Sequence, residues 1–167
     1  MICFGIDPGL GLLGYGVVEQ RGDTLVSLDY GAIATEAGAP VALRLHDLYR
    51  QLAGKLSGHT PDVVAVEKFF FGKSKTTAEM VYHARGVALL AVAQLGLAPY
   101  EPKPAEVKLA VCGNGNAEKS QVQGMVRYLL GMETIPRPDD AADALAIAIT
   151  GLSLAAYDTQ RHREGVQ

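Results

Sequence analysis

Cysteine is scarce. Cys3 and Cys112 are the only two in 167 residues, far apart and with no CxxC or Cys/His spacing around either, which excludes a disulfide framework and a zinc site. The four histidines are scattered and read as structural or surface residues rather than ligands. Long apolar runs are missing too. No stretch of about 18 uncharged apolar residues occurs, so no membrane span is expected. The opening Met1-Ile2-Cys3-Phe4-Gly5 has no basic n-region, and a cytoplasmic location is expected. Positive charge is not in excess: the formal net charge is -3, which argues against a broad basic surface for nonspecific phosphate binding. With no internal repeat and no low-complexity linker, a single domain over residues 1–157 is expected, followed by a loose tail over 158–167.

What is present is enough apolar residue to build a core, 49% against 20% charged, a ratio typical of a soluble globular chain. Ile2 to Asp7 is a short apolar run stopped by Pro8-Gly9 and reads as a buried strand. Leu13 to Gln20 and Thr24 to Ala34, joined by the turn signal Arg21-Gly22-Asp23, complete an antiparallel meander. Val41, Leu45, Leu48, Leu52 and Leu56 recur at helical spacing after Pro40 and stop near Gly58. Val63 to Glu67 then predicts a central parallel strand reached by that crossover helix. Thr76 with Glu79 fits a capping box for a long helix to Gly96, and its apolar residues cover enough of the circumference to suit a buried helix or one that also meets a partner subunit. A fifth strand is expected over Leu97 to Glu101, followed by helices over Ala105–Val111, Glu118–Leu130 and Asp139–Tyr157. Together these make an α/β domain, a mixed five-stranded sheet flanked by helices.

Two carboxylates stand at the C-terminal ends of predicted central strands, Asp7 and Glu67, the edge at which open α/β sheets bind ligands. Asp140 and Asp143 are spaced i, i+3 at the start of an apolar helix, so their side chains share one face. Helix-end capping would explain that pair alone, and a turn would explain a lone acid after a strand; three such placements in one short domain favour a cluster. Crowded carboxylates need cations beside them. Hard oxygen donors without Cys or clustered His suit Mg²⁺ or Mn²⁺, and two such ions can activate a water and stabilise a leaving oxyanion. Basic residues are locally concentrated: residues 68–75 hold Lys68, Lys73 and Lys75 with Phe69, Phe70 and Phe71 and no acid. A second stretch, 103–137, carries Lys103, Lys108, Lys119, Arg127 and Arg137 against Glu106, Glu118 and Glu133. Charge beside aromatic faces suits distorted or single-stranded nucleic acid; a solvated loop is the alternative reading.

Five motifs taken together, Gly5-Ile6-Asp7-Pro8-Gly9, Val66-Glu67 before the aromatic stretch, Ala84-Arg85-Gly86-Val87, Ala117-Glu118-Lys119-Ser120-Gln121-Val122, and the run from Asp140 through Asp143 to Ala148, resemble the RuvC Holliday junction resolvases. The resemblance extends from Met1 to about Tyr157. It implies a ribonuclease-H-like fold, a homodimer, and symmetric paired nicks in a four-way DNA junction during recombination and repair. By the same resemblance Asp7, Glu67, Asp140 and Asp143 are the catalytic metal ligands, with two Mg²⁺ per site and Mn²⁺ as an alternative. The resemblance also implies that Lys108 and Lys119 contact the phosphate backbone near the cut and aligns Phe70 to the base-stacking position, with Phe69 its nearest rival; the local charge adds Lys73 and Lys75 to the expected DNA-contacting set. Recruitment by a RuvA–RuvB branch-migration complex is implied in the same way. Asp139 adds an acid beside the pattern, but the DxxD spacing selects Asp140. An actin-like ATPase also ends its first strand in Asp-x-Gly, but such a protein needs a second comparable domain to enclose nucleotide.

Overall fold

A computed structural model describes residues 1–68 and 75–165, with the backbone alone for 75–77. The elements run β1 (Ile2–Asp7), β2 (Leu12–Arg21), β3 (Thr24–Ala34), α1 (Val41–His59), β4 (Val63–Val66), α2 (Lys75–Ala93), α3 (Pro104–Cys112), α4 (Lys119–Leu129) and α5 (Asp139–Arg163). The sheet order is β3-β2-β1-β4, with β1 antiparallel to β2 and parallel to β4. That mixed sheet confirms the expected class.

Two core layers follow from the alternation of side chains along the strands. Phe4 and Ile6 of β1, Leu13, Tyr15 and Val17 of β2, and Val64 and Val66 of β4 point to the layer that packs on Leu48, Leu52 and Leu56 of α1 and on Ala84, Ala88 and Val92 of α2. Cys3, Val18 and Ala65 point the other way, into a layer built by α3, α4 and α5. The odd residues of β1 therefore face α5, and Asp7 is the last of them.

Glycine brings α5 unusually close to the sheet. A Cβ on Gly5 would stand 2.1 Å from the Ala144 carbonyl oxygen, and one on Gly14 2.1 Å from the Asp140 carbonyl oxygen. On Gly16 it would lie 2.7 Å from the Leu145 nitrogen. No L side chain fits there, so helix backbone rests directly on strand backbone. Nearly all of the first half of α5 is buried. Its apolar composition over 25 residues would suffice to cross a membrane, but 67% of its most apolar stretch is buried within this fold, as expected of a core helix.

Three expectations need correction. The sheet has four strands among the described residues, not five: of Leu97–Glu101 only Tyr100 makes a bridge, parallel to Ala65. Tyr100 exchanges bonds with Val64 and Val66 at 2.8 and 2.9 Å, but Pro99 and Pro102 on either side have no N–H to extend a ladder. Residues 158–163 do not belong to a loose tail, because α5 continues through Arg163 with Tyr100 donating to Asp158 at 2.8 Å. Finally, Thr76 lies within the described helix α2, so it is not its cap.

Candidate active site

Strand register fixes the first two acids. Ile6 pairs with Val66, and the Glu67 N–H donates to the Ile6 carbonyl at 3.1 Å. Asp7 and Glu67 thus end adjacent parallel strands, and alternation sends both toward α5. On the other flank Asp7 pairs with Gly14, the residue on which the Asp140 backbone rests. The glycine contact that seats the helix therefore also sets its first turn over Asp7. One turn on, Asp143 comes round to the same side.

Asp7, Glu67 and Asp143 line one cavity together with Lys108 and Lys119. Its apolar walls come from Pro104 and Val107 of α3, Val122 of α4 and Ala146 of α5. Asp140 lies at the margin, within electrostatic reach of Asp7. Lys119 Nζ stands 3.0 Å from Asp143 Oδ2 and 3.5 Å from Asp139 Oδ2. Asp139 also pairs with Arg137.

Burial, then the charges of Glu67, Asp143 and Asp140, push the Asp7 carboxyl up to about 7, against a smaller opposing pull from Lys119. Burial and Asp143 raise Glu67 to about 7 as well, with Lys108 opposing. Asp143 is raised by burial, although Lys119 works in the other direction. For Lys119, burial favours the neutral amine, but Asp143 and Asp139 outweigh it and raise its pKa. Asp139 moves the other way from Asp7, Glu67 and Asp143: burial pushes it up, but Lys119 and Arg137 together outweigh that and hold it below the ordinary carboxylate range. Its partners are thus the basic side chains of Lys119 and Arg137.

The donor set suits a hard divalent cation. The cavity is lined by carboxylates without thiol or imidazole, and its acids carry raised pKa values, which a nearby cation would lower. As they stand, no three acidic, His or Cys side chains among the described residues are arranged to hold one ion. Like charges oppose that last approach, and a dication between them would favour it.

The structure thus brings together Asp7, Glu67, Asp140, Asp143, Lys108 and Lys119. Phe69, Phe70, Phe71 and Lys73 lie outside the described residues, and Lys75 is described only as the first residue of α2. Lys68 is exposed directly after Glu67. Sequence reasoning missed three features. The apolar wall from α3 carries no signal of its own. Gly5, Gly14 and Gly16, which bring α5 down, do carry one, since glycine inside an apolar strand marks close backbone approach. Arg85, within the Ala84-Arg85-Gly86-Val87 motif, donates from Nε to the Glu67 carbonyl at 3.3 Å and pairs with Glu101.

A family model described as crossover junction endodeoxyribonuclease RuvC matches residues 3–151. A protein of that name from Chloroflexus aggregans is 55% identical over 149 residues, 89% of this chain and 91% of the relative. The solved Thermus thermophilus RuvC structure superposes with a TM-score of 0.87 at 37% identity, covering 95% of this chain and 98% of the other. The T. thermophilus RuvC in complex with Holliday junction substrate gives 0.86 at 34% identity, covering 94% and 96%.

Proposed function

The chain belongs to the RuvC family of crossover junction endodeoxyribonucleases, and on that footing we propose that it resolves four-way DNA junctions by paired, Mg²⁺-dependent phosphodiester hydrolysis at the cavity of Asp7, Glu67, Asp140 and Asp143. The observation that carries the site is the convergence of Asp7, Glu67 and Asp143, distant in sequence, on one cavity with two lysines. The likeness to a relative solved with junction DNA supports the substrate.

Each group then has a task. Asp7, Glu67, Asp140 and Asp143 would hold the magnesium. Lewis-acid polarisation of phosphate and water is the chemistry that a divalent ion supplies in such a site. Lys108 and Lys119 offer positive charge to the strand being cut. The apolar wall of Pro104, Val107 and Val122 limits the water that surrounds the phosphate. The products are a 5′-phosphate and a 3′-hydroxyl, ends that a ligase seals.

Two such sites on a two-fold dimer match the near symmetry of a four-way junction. Leu90 on α2 is 55% exposed in the single chain, in keeping with a helix that meets a second copy. Phe69, Phe70, Lys73 and Lys75 would extend the DNA surface beyond the cavity, and a RuvA–RuvB motor would deliver the junction. The decisive experiment incubates the protein with a synthetic four-way junction and with a linear duplex, with and without Mg²⁺. Symmetric nicks in the junction alone, only with Mg²⁺, are expected. Equal cutting of both DNAs, or cutting in the presence of a chelator, would refute the proposal.

A further inference from the structure

We propose that Arg85 is a positioning residue for Glu67: from α2, its guanidinium holds the acid's main-chain carbonyl and so sets where the carboxylate stands. The inference rests on the reading of Glu67 as part of the cutting site.

Arg85 sits in the middle of α2, and its side chain is only 16% exposed. Nε donates to the Glu67 oxygen at 3.3 Å, and an Nη donates to the Glu101 carboxylate. The β4 ladder stops at Val66, so beyond it the peptide groups need other partners. The Glu67 N–H finds the Ile6 carbonyl at 3.1 Å, and the Lys68 N–H finds the Pro102 carbonyl at 2.9 Å. The Glu67 carbonyl is taken by Arg85. Both peptides that flank the Glu67 Cα are therefore pinned, and Arg85 provides the side-chain part of that hold.

The residue type matters. Arginine presents five N–H donors in a rigid plane, so one edge can reach a carbonyl while another engages a carboxylate; lysine is a single charged point on a flexible stem. Glu101 steadies the fork, and its own segment is fastened to β4 through Tyr100 and to Lys68 through the Pro102 carbonyl. Helix α2, the end of β4 and the 100–102 segment thus meet at one guanidinium. Its cover by the fold and its commitment to Glu67 and Glu101 fit a supporting role better than a phosphate contact.

The test compares full-length Arg85→Ala, Arg85→Lys and Glu101→Gln on a synthetic junction, with Glu67→Gln as reference. For Arg85→Ala, kcat should fall about 10- to 100-fold while KM for the junction stays within about 2-fold. The Mg²⁺ concentration for half-maximal cutting should rise roughly 10-fold, and the Mg²⁺-induced rise in Tm, read without DNA, should shrink. Arg85→Lys should recover part of the loss, and Glu101→Gln should fall between. Wild-type kcat and a wild-type Mg²⁺-induced Tm rise in Arg85→Ala, with Glu67→Gln inactive, would overturn the proposal and leave the site intact. A loss of junction affinity equal to the loss of rate would make Arg85 a DNA contact and overturn it too. Normal cutting by Glu67→Gln would remove the site reading itself, and this inference with it. If the alanine variant does not fold, Arg85→Lys and Glu101→Gln decide by the same readouts.

Discussion

Asp7 carries the largest electrostatic load in the site, its carboxyl raised from 3.8 to about 7 by burial and three neighbouring acids. The native state therefore binds more protons than the unfolded chain between about pH 4 and pH 7, and metal-free stability must fall as pH rises through that window. Asp7→Asn removes this penalty. Its metal-free Tm at pH 8 should exceed the wild type's by on the order of 5 °C, with little difference at pH 4, as calorimetry in chelator would show. Asp143→Asn makes a second prediction at this scale. It removes a charge beside Lys119 without enlarging the side chain, so gel-shift affinity for a junction should persist while Mg²⁺-dependent cutting drops by at least about 100-fold. Cutting at the wild-type rate would take Asp143 out of the mechanism. The meeting of Asp7, Glu67 and Asp143 in one cavity was legible in the sequence because two of them end apolar strands and the third stands in the first turns of an apolar helix. The partners of Lys119 were not, because the path of α4 past the first turn of α5 is set by tertiary packing alone.

Helix α5 is the element that assembles the site, and glycine on the strands beneath makes its approach possible. Gly14→Ala places a methyl group 2.1 Å from the Asp140 carbonyl oxygen, which only displacement of the helix or strand can relieve. A loss of stability on the order of 3 kcal/mol is expected, measurable by urea unfolding. The folded fraction should also cut more slowly than wild type, because Asp140 and Asp143 move with the helix. An unchanged rate per folded molecule would show that α5 need not lie so close. Most elements were readable from periodicity: the meander, α1 with its Leu48-Leu52-Leu56 stripe, and α5 from its acidic start. The fifth strand failed for a local reason, the prolines at 99 and 102. The end of α5 failed for a distant one, since residues 158–163 lack an apolar stripe and the bond from Tyr100 to Asp158 comes from elsewhere in the chain.

For the whole molecule, a net charge of -3 leaves DNA binding to local groups. Lys108 and Lys119 stand at the cavity, and Lys68 is exposed directly after Glu67 in the chain. Binding should therefore depend on salt less steeply than for a broadly basic protein. If the working unit is the proposed dimer, both nicks in a cruciform plasmid should be made within one binding event. Linear product should then form with little nicked-circle intermediate, and sedimentation should show twice the 17.7 kDa chain mass. The main-chain seating of α5 has a further consequence for how such a protein can change over time. Spacing between the acids is set by backbone touching backbone, on the opposite side of the sheet from the leucines of α1. Leu52→Ala should cost about 2–5 kcal/mol yet leave the turnover of surviving molecules unaltered. Heat tolerance can then drift with habitat through that rear layer, while the chemistry at the front keeps its calibration.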